Sequence, residues 1–299
     1  MRACHVGASM SSDGYRHLMA PDVGDNRAQL NVGWAALWRD LVEHAAQIAP
    51  ERSAGDYWEG RAESFHDRVQ ARDGQPDSIR DFVLEAVRPG STVLDIGAGT
   101  GAWAIPLADR AEWVTAVDSS ASMISVLRRN IAAQDASNID IVAGSWPEVS
   151  VAAHDYCLAA HSVYGSPDLV AFVEKMTEVA RRTCFLIVRA PPTTSVLAEA
   201  AEYLWGLPLD RPGFLVAYNV LLQLGLTPNV LFAAKASGPV ISATTDDALV
   251  RLKQHFGLAH SAEHDDYLRG LLQRRLEPLD GSCRWPPEAR SALIYWSVE

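Results

Sequence analysis

The stretch Val93-Leu94-Asp95-Ile96-Gly97-Ala98-Gly99-Thr100-Gly101, followed at the end of the next apolar run by Val117-Asp118, decides the fold. A short apolar run that breaks into alternating glycines reads as a strand turning sharply into a helix. Glycine takes the positive backbone angles such a turn needs and lets a ligand approach the main chain. An acid at the tip of the second strand is placed to accept hydrogen bonds from a ribose diol. Working outward, STVLDIG, AEWVTAVD, NIDIVAG, HDYCLAA and RTCFLIVRA each read as a strand buried on both faces, and helix-period segments at 102–109, 120–134 and 167–181 lie between them. Pro106 predicts that the first of these helices is short or irregular. The alternation predicts a doubly wound α/β sheet covered by helices on both sides.

Upstream, Trp34, Leu37, Leu41, Ala45 and Ile48 recur at helical spacing, with Asn31 as an N-cap candidate and Pro50 closing the segment. DYWEGRAESFHDRV reads as a second helix with Trp58, Ala62, Phe65 and Val69 on one stripe, and Ile79, Phe82, Val83, Ala86 and Val87 mark a third. Downstream, helical stretches at 193–205 and 214–225 precede two late strands, NVLFAAK and SALIYWSV. Between those strands a polar helical insertion at about 245–276 ends in a loop with Pro278, Pro286 and Pro287. The expected organisation is a mobile leader at 1–30, an N-terminal helical cap at 31–90, and a ligand-binding domain at 91–299 with inserts at about 193–228 and 245–290.

The 299 residues suffice for a full core, and 48% hydrophobic with 21% charged residues excludes wholesale disorder. Twenty-six Lys and Arg against 37 Asp and Glu leave a net charge of -11, which disfavours bulk nucleic-acid binding and makes a small-molecule substrate the better expectation. Cys4, Cys157, Cys184 and Cys283 form no C-x-x-C pair and no disulfide framework, which fits a reducing cytoplasm. No apolar run reaches the length of a membrane span, and residues 1–30 lack the apolar stretch of a signal peptide.

Gly97, Gly99 and Ala102 with Asp118 also satisfy a dinucleotide fingerprint, so an NAD-type oxidoreductase is one reading. Asp95 separates the two ligands: a carboxylate there repels a pyrophosphate, whereas S-adenosyl-L-methionine presents an ammonium and a sulfonium. V-L-D-I-G-A-G-T-G followed by A-V-D-S-S-A-S-M resembles the first two motifs of class I, Rossmann-like S-adenosylmethionine-dependent methyltransferases, over roughly residues 82–190. The resemblance implies a seven-stranded sheet, an S-adenosylmethionine cofactor released as S-adenosylhomocysteine, and in-line methyl transfer to an O, N, S or carbon nucleophile. It implies that Asp95, Gly97, Gly99 and Gly101 cradle the methionine part, that Asp118 holds the ribose, and that Ser119 and Met123 lie beside ribose and adenine. The third motif departs from the family, reading Ala143-Gly144-Ser145-Trp146-Pro147, and leaves Ser145 or the backbone near Trp146 for the adenine. A non-catalytic S-adenosylmethionine-binding protein and an RNA methyltransferase, the latter hinted at by Arg128-Arg129 and Arg181-Arg182, remain alternatives.

The fourth strand ends Ala160-His161-Ser162-Val163-Tyr164, without the Asn-Pro-Pro-Tyr signature of base-amine methylation. His161 and Tyr164 are the catalytic candidates. A histidine titrates near neutrality and suits proton transfer, and it equally suits a packing role beneath the cofactor. Tyr57 and Arg61 are candidates for the methionine carboxylate, against a reading in which Trp58 and Phe65 form a core stripe and Arg61 is solvated. His255, His260 and His264 with Asp265 and Asp266 lack supporting ligands, so no metal is expected.

Overall fold

Asp95 and its neighbours form β1 (Thr92–Ile96), whose residues Val93, Leu94 and Ile96 are all at most 1% exposed because strands pack on both sides and helices cover both faces. The computed structural model describes residues 33–50, 55–71, 74–234, 240–286 and 290–298. The 1–30 leader, the Asn31 cap, Cys4 and Pro287 lie outside the described residues. The other strands are β2 (Trp113–Asp118), β3 (Ile139–Ala143), β4 (His154–Ala160), β5 (Ala180–Ala190), β6 (Asn229–Phe232), β7 (Ile241–Ser242), β8 (Glu277–Leu279), β9 (Ser282–Arg284) and β10 (Arg290–Ser297).

Seven strands form one sheet in the order β3-β2-β1-β4-β5-β10-β6, and only β10 runs against its neighbours. The register Ile96↔Val117 and Ile96↔Ala159 aligns the carboxyl ends of β1, β2 and β4. Because β10 is antiparallel, Arg290 pairs with Ala190, so the start of β10 joins the same edge of the sheet. Ligands of open α/β sheets sit at that edge.

The helices are α1 (Trp34–Ile48), α2 (Ala62–Gln70), α3 (Ser78–Ala86), α4 (Ala104–Ala108), α5 (Ala121–Ala133), α6 (Leu169–Val179), α7 (Val196–Trp205), α8 (Phe214–Gln223), α9 (Thr245–His255) and α10 (Asp265–Arg275). One face of the sheet is covered by α1, α6 and α8 through Trp38, Leu41, Phe172, Met176, Val216 and Val220. The other is covered by α3, α4 and α5 through Ile79, Val83, Leu107 and Leu127. Pro106 does leave α4 at five residues.

The segment 31–90 is divided among three places. Helix α1 belongs to one sheet face, where the indole of Trp38 donates to the Ser166 carbonyl at 2.9 Å. Helix α3 belongs to the other, and its Asp77 cap accepts from the Ile79 and Arg80 amides. Among the described residues of this segment, 55–70 lie over the glycine loop. The helix expected from Asp56 starts at Ala62, because the Asp56 carboxylate turns the chain by accepting from Trp58 N–H and Gly60 sits at φ +70.

The second insert forms a lobe with α7, in which Val196, Ala201, Leu249, Leu252, Leu268, Leu272 and Trp285 pack together. Its expected closing loop is instead a hairpin of β8 and β9 within a three-stranded sheet β7-β9-β8. The turn is Asp280-Gly281, with φ of 35° and 80°, the positive pair that a two-residue hairpin favours. Pro278 sits on the edge strand, where no ladder amide is required of it.

Candidate active site

The glycine loop leaves β1 by donating both the Gly97 and the Ala98 amide to the Val117 carbonyl, at 2.8 and 2.9 Å. Gly97, Gly99 and Gly101 all have positive φ. They differ in what a side chain would meet. A Cβ on Gly97 would lie 2.3 Å from the Ser162 Cβ, so β4 approaches the loop at van der Waals limit there. A Cβ on Gly101 would meet Leu127 and Ile105, so this glycine serves helix-to-sheet packing. At Gly99 nothing stands nearer than a ring carbon of Phe65 at 3.9 Å, and that residue belongs to the segment lying over the loop.

Asp95 is 1% exposed beneath this loop and its Oδ2 has no hydrogen-bond partner among the described residues. Burial and the charge of Asp118 push its carboxyl up to about 7, against one stabilising bond from the Ala104 amide. Asp118, at the tip of β2, accepts from Gly99 N–H on Oδ2 and from Ser120 N–H on Oδ1, both at 2.8 Å. Burial raises its pKa, these two amides lower it in part, and Asp56 raises it again. Ser119 beside it is exposed, whereas Met123 is buried with Ala62 and Val126 under Trp58 and Phe65.

Asp56 had no periodic signal to mark it. Its Oδ1 accepts from the Ser120 hydroxyl at 2.8 Å and its Oδ2 from the Ser122 amide at 3.0 Å, which fastens segment 55–61 to the N-terminus of α5. Burial opposes its charge, and the bonds from Ser122, Ser120 and Trp58 outweigh that and hold its pKa low. Removing this carboxylate in Asp56→Ala is expected to speed proteolysis within 55–61 severalfold while the global unfolding midpoint moves little. Unchanged cleavage would mean that the aromatic contacts alone hold the segment. Trp58, which precedes α2, and Phe65 within it are both half-buried and meet edge to face at 5.1 Å between centroids. Arg61 lies 4.7 Å over the Tyr57 ring and donates to the Tyr57 carbonyl at 2.8 Å on an exposed surface.

At the end of β3, Ser145 is exposed, while Trp146 turns toward α6, where its indole donates to the Phe172 carbonyl at 3.2 Å. Trp103 stacks under Arg80 of α3. At the end of β4, His161 sits at φ +55 with Nδ1 2.9 Å from the Tyr164 hydroxyl and Nε2 3.1 Å from the Ser291 hydroxyl of β10. The Arg189 amide donates to the same Tyr164 oxygen at 2.7 Å. The Arg189 guanidinium in turn grips Asp210 with both terminal nitrogens, at 3.3 and 3.1 Å, and His255 of α9 contacts Asp210 at 2.9 Å. Arg189, Asp210 and Ser291 carried no signal in the sequence, because they reach this edge from β5, from the connection between α7 and α8, and from β10. The acid cluster around His264 holds no metal-like grouping among the described residues, and His264 instead faces Tyr203.

Residues 93–183 match the family profile described as a methyltransferase domain. This part of the chain is a methyltransferase domain. The fold is similar to that of the YcgJ protein from Bacillus subtilis. That likeness has a TM-score of 0.52 at 14% identity, covering 73% of this chain and 97% of that one. The methyltransferase is also similar to a Haemophilus influenzae protein without an assigned activity, 27% identical over 236 residues, 76% of this chain and 84% of that protein. It is 26% identical over 275 residues to the malonyl-[acyl-carrier protein] O-methyltransferase of Erwinia pyrifoliae, covering 88% of this chain and 95% of that enzyme. Among the described residues no helix is long and apolar enough to cross a membrane.

Proposed function

We propose that the protein transfers the methyl group of S-adenosylmethionine to an oxygen of a small molecule held at the carboxyl edge of β4 and β5, against the lobe built from α7, α9 and α10. The observation that carries the cofactor half is the buried, unpartnered Oδ2 of Asp95. An acceptor left without a donor inside a protein is costly, and an ammonium group satisfies both its charge and its lone pair. A pyrophosphate does neither, which sets the dinucleotide reading aside. The oxygen half rests on the O-methyltransferase name of the Erwinia relative, and the small-molecule half on the charge of -11.

The cofactor, when bound, supplies a methyl carbon activated by sulfonium. The chain's own residues then have four tasks. Asp95 meets the methionine ammonium, and the amides around Gly97 and Gly99 line the close approach. Asp118 fixes the loop by accepting from the Gly99, Ser120 and Ser119 amides and offers its remaining acceptor capacity to the ribose hydroxyls. Ser119 and Ser145 face the open side where ribose and adenine lie, and Arg61, steadied on Tyr57, keeps donors for the methionine carboxylate. Trp58 and Phe65 cover the loop and exclude water, so that transfer proceeds by alignment and desolvation.

Calorimetry of S-adenosylhomocysteine binding tests this reading. The free Asp95 carboxyl titrates at about 7, and a neighbouring ammonium lowers that value, so binding releases a proton below neutrality. Affinity is expected to climb between pH 6 and pH 8 and then level off. Tight NADH binding with no response to S-adenosylhomocysteine would overturn the proposal. Asp118→Ala is expected to lose about 1–3 kcal/mol of binding through the ribose contacts and the loosened loop.

A further inference from the structure

Tyr164 has one hydrogen to donate, and among the described residues its oxygen already accepts from the Arg189 amide at 2.7 Å. Its remaining partner is His161 Nδ1 at 2.9 Å, so a phenol that gives its hydrogen to any protein group gives it to that nitrogen. Burial pushes the Tyr164 phenol up to about 12, and it stays protonated across the neutral range. With Nδ1 accepting, the neutral imidazole carries its proton on Nε2, and Nε2–H donates to the Ser291 hydroxyl at 3.1 Å. A Ser291 hydroxyl that accepts from Nε2–H keeps its own hydrogen to donate, and it stands at the edge of the sheet beside exposed His161. The direction of the chain is set from behind. Arg189 cannot withdraw its amide from Tyr164 while its guanidinium is held by buried Asp210 and by its Nε–H bond to the Pro212 carbonyl at 3.1 Å.

We infer that Tyr164, His161 and Ser291 form a one-way hydrogen-bond donor chain that binds a carboxylate oxygen of the substrate, with Arg189 and Asp210 as positioning residues. A chain that ends in a donor cannot take a proton from a hydroxyl or amine, so it suits an oxygen that arrives already ionised at neutral pH. A carboxylate meets that condition without a base. Attack by its second oxygen on the sulfonium methyl forms the new O–CH3 bond as the C–S bond breaks, with the sulfur taking the electron pair. The ester leaves neutral and no proton is moved. The inference rests on the methyl-transfer reading above, and it names the substrate class for that site.

The test uses full-length protein labelled with 15N-histidine and loaded with S-adenosylhomocysteine, with His161→Gln assigning the ring signals. Hexanoate and its neutral isostere hexanamide serve as probes. The proton of His161 is expected on Nε2, hexanoate is expected to shift that signal and to bind more tightly than hexanamide, and Ser291→Ala to weaken hexanoate about fivefold with S-adenosylhomocysteine affinity unchanged. In Tyr164→Phe the Nε2 tautomer preference is expected to be lost, and Ser291→Thr to restore the affinity that Ser291→Ala removes. A proton on Nδ1 in the parent protein, hexanoate no tighter than hexanamide, or a Ser291→Ala titration matching the parent would each overturn the donor chain. Failure of S-adenosylhomocysteine to bind would instead overturn the cofactor assignment, and the tautomer and the hexanoate titration in ligand-free protein would still judge the chain.

Discussion

Asp95→Asn is expected to raise the stability of the ligand-free protein at pH 8 while weakening S-adenosylhomocysteine binding roughly 10- to 100-fold through loss of a charged hydrogen bond. The carboxyl ionises near its ordinary value when unfolded and at about 7 when folded, so the native state binds the extra proton between those limits. Stability from this group is therefore fully present below about pH 4 and lost as pH rises through 7. Asn cannot ionise and removes the penalty, which amounts to on the order of 2–4 kcal/mol at pH 8 and vanishes toward pH 4. Denaturant unfolding of both proteins at pH 5 and pH 8 measures it. A variant less stable than the parent at pH 8 would mean that Asp95 already has a compensating partner in the free protein.

Among the described glycines, Gly97→Ala is expected to be the most damaging substitution by alanine. It forces a side chain onto φ +70 and drives its Cβ to 2.3 Å from the Ser162 Cβ, whose own Oγ is held by the Ile96 carbonyl at 2.6 Å. Backbone strain and overpacking together cost about 2–4 kcal/mol. They also separate β1 from β4 where loop and His161 strand meet, so cofactor affinity falls with stability. Adding Ser162→Gly removes the opposing Cβ, and the double variant is expected to recover at least about 1 kcal/mol relative to the sum of the single changes. Gly99→Ala, with only Phe65 nearby at 3.9 Å, bears the strain without the clash and is expected to cost less than half as much. Strict additivity of the two changes would show that the steric contact is not the cause.

The strands of the large sheet were legible because each is a short apolar run, and a strand buried on both faces has no other way to satisfy its surface. Asp95 and Asp118 were legible because a glycine turn fixes their spacing within one strand-helix-strand unit. The hairpin turn Asp280-Gly281 carries its signal in only two residues, beside the more prominent Pro278 and Pro286. The division of 31–90 was not legible: α1 and α2 are both amphipathic, and an apolar stripe records that a face is buried without recording which surface buries it.

By itself the sequence determined the doubly wound sheet, the glycine loop and the acids beneath and beside it, all consequences of local periodicity and of residues less than 30 positions apart. Only the tertiary structure decided that Asp56 fastens the covering segment to α5, and that Tyr164, His161 and Ser291 share one hydrogen-bond chain. It alone set Arg189 on Asp210. The physical reason is that a polar side chain has no periodicity: its partner is fixed by where antiparallel β10 and the inserts bring distant donors and acceptors to one edge. His161 and Ser291, 130 positions apart, meet there because the register of β10 on β5 puts Ser291 at the carboxyl end of the sheet.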